Sequence, residues 1–261
     1  MKRLLLTGAT GGIATAIRPI LRSRYRLRLS SQDEVASLAD GEEFMLAELS
    51  DLAAVRRAVA GVDAIIHLGG FAYETAWETI HQSNIVGVYN VFEAARLEGV
   101  RRIVFASSGH AIGFYPRTQT IAADVTPKPD SRYGLSKAFG EAVGSLYAEK
   151  YGAEVMSIRI GHMLPRPHDR RRLAIWISPR DLAQLIMLGL ELPQLRHEIV
   201  YGISDNKRAW WDNSNAHRLG YRPQDRSEDY AAQAIAGDRD ATGDPKADLN
   251  QGAEFCILES M

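Results

Sequence analysis

The sequence predicts an α/β protein with a doubly wound parallel sheet. Short apolar runs alternate with amphipathic helical segments along most of the chain, and this pattern is typical of parallel strands joined by helical crossovers. The first apolar run, Leu4–Leu6, passes directly into a glycine-rich turn and then into a helix. A chain of 261 residues can form one large α/β domain with a small appended lobe.

The glycine-rich turn Thr7–Ala14 reads TGATGGIA, and helical spacing continues to Leu21. Glycines let the backbone turn sharply and bring its N–H groups close to a pyrophosphate at the N-terminus of the following helix. A strand, a tight turn and a helix in this order begin a dinucleotide-binding unit, although the turn alone is weak evidence. The candidate cofactor-binding residues of this turn are Gly8, Gly11, Gly12 and Ile13.

The next elements follow from their residue patterns. Alternation predicts a second strand at Arg26–Ser31, and an apolar run predicts a third at Phe44–Leu49. Ser50–Asp51 is a typical N-cap for the helix that runs to Ala60. The run Asp63–Gly70 ends in a glycine turn and predicts a strand that is buried on both faces.

The middle of the chain continues the alternation. A helix is predicted over Trp77–Leu97 and a fifth strand over Arg102–Ser107. A loop with three prolines covers 113–129, and a long helix begins at Asp130 and runs through Tyr147.

The last third is divided as follows. The predicted elements are a sixth strand at Glu154–Ile160, a proline- and arginine-rich loop at Gly161–Arg172, helices at Pro179–Leu190 and Glu228–Ala236, and a short strand at Ile199–Tyr201. From Gly237 onward the chain is rich in Asp and Gly, so we expect an irregular or mobile tail. We expect a dinucleotide-binding core over 1–160 and a substrate-binding lobe with the tail, continuous with the core, over 161–261.

Composition narrows the possible partners. The chain is 46% hydrophobic and 24% charged, with a formal net charge of −1, which gives no reason to expect nucleic acid or a membrane surface. The single cysteine, Cys256, excludes an internal disulfide and a cysteine-based metal cluster, and we expect no metal. The N-terminus runs straight into a strand and no apolar run approaches membrane-spanning length, so we expect a cytoplasmic protein.

Tyr133 and Lys137 form the most informative motif. Residues four apart lie on one face of a helix, so the phenol and the ammonium share the same space. An unperturbed tyrosine has a pKa near 10, and a neighbouring lysine favours the phenolate that a general base requires. Ser107 and Ser108 end a central strand, where open α/β sheets bind ligands, so a hydroxyl here can hold a reacting oxygen. The alternatives without function are that Tyr133 and Lys137 are a chance pair on a solvated helix face and that the two serines are ordinary turn residues.

Together these residues resemble the extended short-chain dehydrogenase/reductases, and within them most closely the uronate dehydrogenases. The resemblance rests on the glycine turn, on Asn84 and on the order Ser108, Tyr133, Lys137. It runs along nearly the whole chain, and its most specific stretch is Trp210–Ser214, WWDNS.

The resemblance implies a Rossmann fold, a role for each residue and a homo-oligomer. Tyr133 would take the proton of the anomeric hydroxyl, Lys137 would hold the nicotinamide ribose and lower the pKa of Tyr133, and Ser108 would orient the sugar. Hydride would leave C1 and give an aldonolactone. The further implied cofactor residues are Ser31, Glu48, Leu49, Leu68, Gly69, Gly70, Asn84 and Ile160, with Tyr133 and Lys137. The implied substrate residues are Ala72, Ser108, Gly109, His110, Tyr133, His162 and Arg171.

The departures from the resemblance concern the cofactor and the sugar. Ser31 stands where an aspartate usually binds the ribose, and Glu48 where an aspartate approaches the adenine. We expect NAD, because no arginine directly follows Ser31 to bind a 2′-phosphate; NADP stays the alternative, with Arg26 and Arg28 as its support.

In the substrate pocket, Ala72, Gly109 and His162 replace a serine, an asparagine and a serine. Two smaller side chains and a possible cation, near the arginines of 170–172, favour an anion larger than a carboxylate at C6, such as the sulfonate of 6-sulfo-6-deoxyglucose (sulfoquinovose). An ordinary uronate, glucuronate or galacturonate, is the alternative. His110 and His162 can equally be loop histidines, and the arginines a solvated patch.

Two other function classes stay open. A nucleotide-sugar epimerase or dehydratase usually has a larger C-terminal lobe than the roughly 100 residues after the sixth strand. A non-catalytic, redox-sensing dinucleotide binder would be expected to lack the pair Tyr133 and Lys137, which this chain keeps.

Overall fold

The computed structural model describes residues 1–238 and 241–259, and it confirms the predicted doubly wound parallel sheet. In chain order the strands and helices are β1 (Arg3–Thr7), α1 (Gly12–Arg22), β2 (Arg26–Ser31), β3 (Glu42–Leu46), α2 (Leu52–Val59), β4 (Ala64–His67), α3 (Trp77–Ile80), α4 (Gly87–Leu97), β5 (Arg102–Ser108), α5 (Arg132–Tyr151), β6 (Glu154–Ile160), β7 (His162–Met163), α6 (Arg170–Ile175), β8 (Trp176–Ile177), α7 (Pro179–Glu191), β9 (His197–Gly202), α8 (Ser214–Leu219), α9 (Ala231–Ala236) and α10 (Pro245–Leu249).

Seven strands form one sheet in the order β3-β2-β1-β4-β5-β6-β9, and every neighbouring pair is parallel. The strand order reverses between β1 and β4, and ligands of doubly wound sheets bind at the carboxyl ends of strands beside such a reversal. The glycine-rich turn follows β1 at this point.

The sheet separates two apolar cores. Along β1, Leu4 and Leu6 belong to the core that includes residues of α1 and α7, whereas Leu5 belongs to the core that includes residues of α2, α4 and α5. A strand that is buried on both faces must be apolar throughout, and this explains the continuous apolar runs in the sequence.

Several predicted elements differ in extent. β3 covers Glu42–Leu46 instead of Phe44–Leu49, and the helix predicted over Trp77–Leu97 contains a π-helical segment at His81–Val86. The long helix begins at Arg132 because the side chain of Ser131 accepts a hydrogen bond from the backbone N–H of Gly134 and caps it.

The loop predicted at Gly161–Arg172 contains β7 and the start of α6. The side chain of Asp169 caps α6 by accepting a hydrogen bond from the N–H of Arg172. The strand predicted at Ile199–Tyr201 is longer, and it is the edge strand of the main sheet. The division at residue 160 stays a prediction, and one strand of the sheet comes from beyond it.

The expectation of an irregular tail is wrong for two segments of the part that the structure describes, 245–249 and 253–256. α10 begins after Asp244, which caps it, and a turn of 3-10 helix covers Ala253–Cys256. Ala247, Phe255 and Cys256 are buried. The polar composition concealed this order, because Phe255 packs with Ile80 and Tyr133, and the thiol of Cys256 contacts the carbonyl of Gly113, all far away in the sequence.

Within residues 1–238 and 241–259, no helix has the length and apolar character needed to cross a membrane.

Candidate active site

A cleft of about 350 Å³ lies beside the carboxyl ends of the central strands. It brings together most of the residues that the sequence singled out for cofactor and substrate. The predicted site residues that line it are Ile13, Leu68, Gly70, Ala72, Ser108, His110, Tyr133, Lys137, Ile160, His162 and Arg171.

The glycine-rich turn fits a dinucleotide. Gly8 has a φ of 67°, and a Cβ there would lie 2.8 Å from the Cα of Gly69, so the turn passes directly against the end of β4. The N–H of Gly11 donates to the carbonyl of Gly8, which closes the turn, and an added Cβ at Gly12 would meet no atom within 4 Å. Open backbone at the N-terminus of α1 is the cradle that a pyrophosphate requires.

Leu49 and Asn84 contact the segment that follows β4. The Cδ1 atom of Leu49 would lie 2.9 Å from a Cβ at Gly69. Asn84 accepts from the N–H of Phe71 and donates to the carbonyl of Phe71 and to the hydroxyl of Ser136. Its amide therefore holds the segment after β4 against α5, and a direct contact with the cofactor stays a prediction.

Ser31 is the last residue of β2, and Glu48 lies shortly after the end of β3. The hydroxyl of Ser31 is 2.8 Å from that of Thr10 in the glycine-rich turn, and Glu48 is exposed and accepts a hydrogen bond from Ser50. Arg28 points elsewhere, because it donates to the carbonyls of Ala58 and Ala60 and pairs with Glu43. One of the two arginines that supported NADP is thus used within the protein.

Ser108, Tyr133 and Lys137 come together as predicted. Ser108 ends β5, and Tyr133 and Lys137 lie on the first turns of α5. Glu74 accepts from the backbone N–H of Tyr133, so a buried carboxylate holds the start of this helix. Burial raises the pKa of Tyr133 to about 12, a hydrogen bond with Ser108 opposes this rise, and the charge of Asp130 adds to it.

The resemblance implied that Lys137 lowers the pKa of Tyr133, but burial has the larger effect on this pKa. Lys137 is buried and donates to the carbonyl of Ala106, and its Nζ atom is 5.5 Å from the centre of the Tyr133 ring. Burial lowers the pKa of Lys137 to about 8. Both groups lose their hydration, so burial raises the pKa of Tyr133 instead of the lysine lowering it.

A buried ion pair anchors the middle of α5. Glu141 accepts two hydrogen bonds from Arg159 on β6, both 2.8 Å, and a third from Ser107 on β5. Glu141 and Arg159 are 4% and 1% exposed. Ser107 therefore joins the sheet to the helix that carries Tyr133, while its neighbour Ser108 contacts Tyr133 itself.

The arginine-rich segment divides between the cleft and the surface. Arg171 and Arg172 line the cleft, and Arg171 is 8% exposed and donates to the carbonyl of Gln251. Arg170 forms an ion pair with Asp238 and is not among the cleft residues, so the expectation that the whole run faces the sugar is wrong.

His162 lies in the cleft, and its surroundings favour the neutral imidazole. Burial, followed by the charges of Arg172 and Arg171, lowers its pKa to about 3. This disfavours the possible cation that the sequence suggested, and a neutral imidazole offers one donor and one acceptor.

Gly109 does not enlarge the pocket as expected. A Cβ at Gly109 would lie 2.6 Å from the Cη2 atom of Trp211, so the missing side chain makes room for that indole. Trp211 is buried and stacks on Tyr201, with ring centroids 4.9 Å apart. Of the two tryptophans, Trp211 is therefore a packing residue. Ala72 is exposed and lines the cleft.

The C-terminal segment 250–258 supplies a wall of the cleft that sequence reasoning missed. Gly252, Ala253, Glu254 and Phe255 line it, and Phe255 stacks on His110 with ring centroids 3.8 Å apart. Gln251 anchors this segment by accepting from the indole N–H of Trp211 and donating to the carbonyls of Pro116 and Gln119. Asp244–Pro245, a typical helix start, was a sequence signal for order here.

Comparison with known proteins agrees with this geometry. The model of the NAD dependent epimerase/dehydratase family matches residues 4–212. The chain belongs to this family. The resemblance, the doubly wound fold and NAD as the cofactor are thereby confirmed, whereas the individual site residues stay predictions.

Three members of the family illustrate the similarity. Uronate dehydrogenase from Pseudomonas putida is 49% identical over 257 residues, 98% of this chain and 96% of that protein. The NAD-dependent glucose-6-phosphate dehydrogenase from Haloferax volcanii is 36% identical and covers 87% of this chain and 95% of its own. The structure of a uronate dehydrogenase mutant from Agrobacterium tumefaciens complexed with NAD superimposes with a TM-score of 0.95 at 39% identity, over 99% of this chain and 98% of that one.

Proposed function

We propose that the protein oxidises the anomeric C1 hydroxyl of an aldohexopyranose that carries an anionic group at C6, giving an aldonolactone and reduced NAD. The observation that carries this proposal is that one cleft contains both Ser108, Tyr133 and Lys137 and the two arginines Arg171 and Arg172. The first group suits removal of a proton from a hydroxyl, and the second suits binding of an anion.

The enzyme class is confirmed: the chain is an NAD-dependent sugar dehydrogenase of the short-chain dehydrogenase/reductase type. Its relatives include uronate dehydrogenases and an L-arabinose 1-dehydrogenase.

The residues divide the chemical work as follows. NAD, when bound, supplies the acceptor for the hydride that leaves C1 with the electrons of the C–H bond. Tyr133, as the phenolate, takes the proton of the C1 hydroxyl on its Oη atom, and the C1–O bond becomes the carbonyl of the lactone. Ser108 donates to the reacting oxygen and holds it beside Tyr133. Lys137 binds the nicotinamide ribose, and a positive charge there favours the phenolate.

For the C6 group, we propose a sulfonate, as in 6-sulfo-6-deoxyglucose. Ala72 leaves space in the cleft, and Arg171, Arg172 and the neutral His162 offer donors to a tetrahedral group with three oxygens. The glucose-6-phosphate dehydrogenase relative supports this choice, since its substrate also carries a tetrahedral anion at C6. Gly109 adds no space for this group, because the indole of Trp211 occupies the place of its missing side chain.

A hexuronate, glucuronate or galacturonate, is the second candidate. The observation that favours it is the 49% identity to a uronate dehydrogenase over nearly the full length of both chains. A carboxylate can be bound by the same arginines, and a planar group with two oxygens matches one guanidinium fork.

A substrate panel tests the proposal. With NAD, we expect kcat/KM to be highest for the sulfo-sugar, lower for the two hexuronates and lower again, roughly a hundredfold or more, for glucose, because buried donors lose their partners when the anion is missing. A far higher kcat/KM for a hexuronate than for the sulfo-sugar would leave the uronate as the substrate. Equal efficiency with neutral glucose would refute an anionic C6 group altogether.

Two arginine variants sharpen this test. Arg171→Ala should raise KM for the anionic sugars roughly tenfold or more and leave KM for glucose nearly unchanged. Arg170→Ala is the matched control, because Arg170 pairs with Asp238 outside the cleft. Retained binding of NAD by both variants shows that the fold is intact. An unchanged KM in Arg171→Ala would remove this arginine from the substrate site.

A homo-oligomer and a cytoplasmic location stay predictions, as does the division into a core over 1–160 and a lobe over 161–261.

A further inference from the structure

His110 is held from its edge by a buried carboxylate. Its Nδ1 atom is 2.7 Å from Oδ2 of Asp130, whose side chain is fully buried. The other oxygen of this carboxylate accepts a 2.7 Å hydrogen bond from the hydroxyl of Ser131. A carboxylate only accepts hydrogen bonds, so the proton between His110 and Asp130 belongs to the imidazole nitrogen.

The carboxylate of Asp130 lies in a space that only glycines leave open. A Cβ at Gly113 would lie 1.7 Å from its Oδ2, one at Gly252 would lie 2.0 Å from the same oxygen, and one at Gly134 would lie 3.0 Å from its Oδ1. These glycines belong to three separate parts of the chain: the loop after β5, the C-terminal segment and α5. The backbones of Gly113 and Gly252 are also joined directly, since the N–H of Gly252 donates to the carbonyl of Gly113. Three segments thus converge on one carboxylate.

The ring of His110 is fixed on its face as well. Phe255 stacks on it, and Tyr133 meets it at 63° with ring centroids 5.8 Å apart. His110 lines the cleft and keeps 17% of its side chain exposed. With Nδ1 bound to Asp130, the nitrogen that remains for a ligand in the cleft is Nε2.

We propose that Asp130 is a positioning residue that keeps the proton of His110 on Nδ1, so that Nε2 accepts a hydrogen bond from a hydroxyl of the bound sugar next to the oxygen that Tyr133 deprotonates. This inference deepens the proposed function and rests on it. Asp130 does not touch the sugar. It acts through His110 and selects a substrate that offers a donor at this place, because the opposite tautomer would present a second donor instead of an acceptor.

Nitrogen-15 NMR of the histidine side chains tests the tautomer without any substrate. The signals of His110 are those of the seven histidines that disappear in His110→Ala. In the singly protonated ring of wild-type His110 we expect the proton on Nδ1 and none on Nε2. A single proton on Nε2, or a ring that holds both protons over the whole pH range in which the enzyme is active, would overturn the proposal. This outcome is independent of whether the sugar has been identified.

A double-mutant cycle tests the effect on the reaction. In Asp130→Asn the amide can donate to Nδ1 and so favours the proton on Nε2, and we expect kcat/KM for the sugar to fall roughly ten- to a hundredfold, mostly through KM, while binding of NAD stays within about twofold. In the His110→Ala background the same substitution should lower kcat/KM by less than about twofold, because its target is gone.

The control and the contrary result are as follows. Asp124→Asn changes an exposed carboxylate in the same loop and should leave kcat/KM unchanged. An equal loss from Asp130→Asn with and without His110 would show that Asp130 acts only through the fold or through Tyr133. If no anionic sugar is oxidised at all, the proposed function fails while the NMR result still decides the tautomer.

Discussion

At the scale of single residues, burial moves several groups of the cleft towards their neutral forms. It raises the pKa of Tyr133 to about 12 and lowers that of Lys137 to about 8 and that of His162 to about 3. His67 is fully buried at the end of β4 and shares a hydrogen bond with Thr7, and burial together with the charge of Lys137 lowers its pKa to about 3. A pKa of about 8 leaves Lys137 mostly charged at pH 7, so its charge and that of a bound nicotinamide would both favour the tyrosine phenolate against the effect of burial.

The buried lysine predicts a pH dependence of stability. The folded pKa of Lys137, about 8, lies below the ordinary value of 10.5, so between these values the unfolded chain binds more protons and the free energy of unfolding rises with pH. The full shift corresponds to roughly 3 kcal/mol at most. Lys137→Met removes this contribution, so we expect the variant to be the more stable protein at about pH 7 and to lose that advantage by about pH 10.

Urea unfolding at several pH values measures the effect, with Lys2→Met as the control because Lys2 is exposed. A difference between wild type and Lys137→Met that stays constant across this range would show that Lys137 has an ordinary pKa in the fold.

At the scale of elements, α5 carries the site and the pair Glu141–Arg159 fastens it to the sheet. Glu141→Gln keeps the size of the side chain but leaves the guanidinium of Arg159 buried without its countercharge. We expect the free energy of unfolding to fall by roughly 3–5 kcal/mol, as is typical when one partner of a buried ion pair is removed.

Glu149→Gln is the matched control on the same helix. It breaks an ion pair with Arg196 whose side chains are 61% and 77% exposed, and such pairs contribute about 0–1 kcal/mol. Denaturant unfolding of both variants gives the comparison. Equal losses in the free energy of unfolding for the two variants would mean that the buried pair does not anchor α5.

The sequence predicted the elements whose patterns are local and missed those that depend on distant contacts. The strands β2 and β6 and the cap at Asp51 follow from alternation and from residue types within a few positions. The segment around Phe255 could not be found in this way, because its order comes from Trp211, Gly113 and Asp130.

The candidate site shows the same limit. The order Ser108, Tyr133, Lys137 was readable because helical spacing puts two of the three side chains on one face. The role of Gly109 could not be predicted, since a missing side chain can make room for a ligand or for a neighbouring side chain. Only the position of Trp211 decides between the two. The neutral state of His162 was hidden for a related reason: it depends on burial and on two arginines nine and ten positions away.

At the scale of the whole molecule, the cleft is completed by parts of the chain that are far apart in sequence. The glycine-rich turn comes from the first strand–helix unit, the proposed catalytic residues from β5 and α5, the arginines proposed to bind the anion from α6, and one wall from the C-terminal segment. The glycine-rich turn lies where the strand order reverses between β1 and β4, which is the usual ligand-binding position in doubly wound sheets.

In the proposed reaction, hydride leaves C1 of an anionic sugar while Tyr133 takes the proton. The most direct measurement uses the sugar labelled with deuterium at C1 and determines by mass spectrometry whether the label appears in the reduced NAD. We expect full transfer with the wild-type enzyme, and with Tyr133→Phe we expect a rate lower by about 10²–10⁴-fold while NAD still binds. Reduced NAD without deuterium, or turnover of Tyr133→Phe within a few-fold of wild type, would contradict this mechanism.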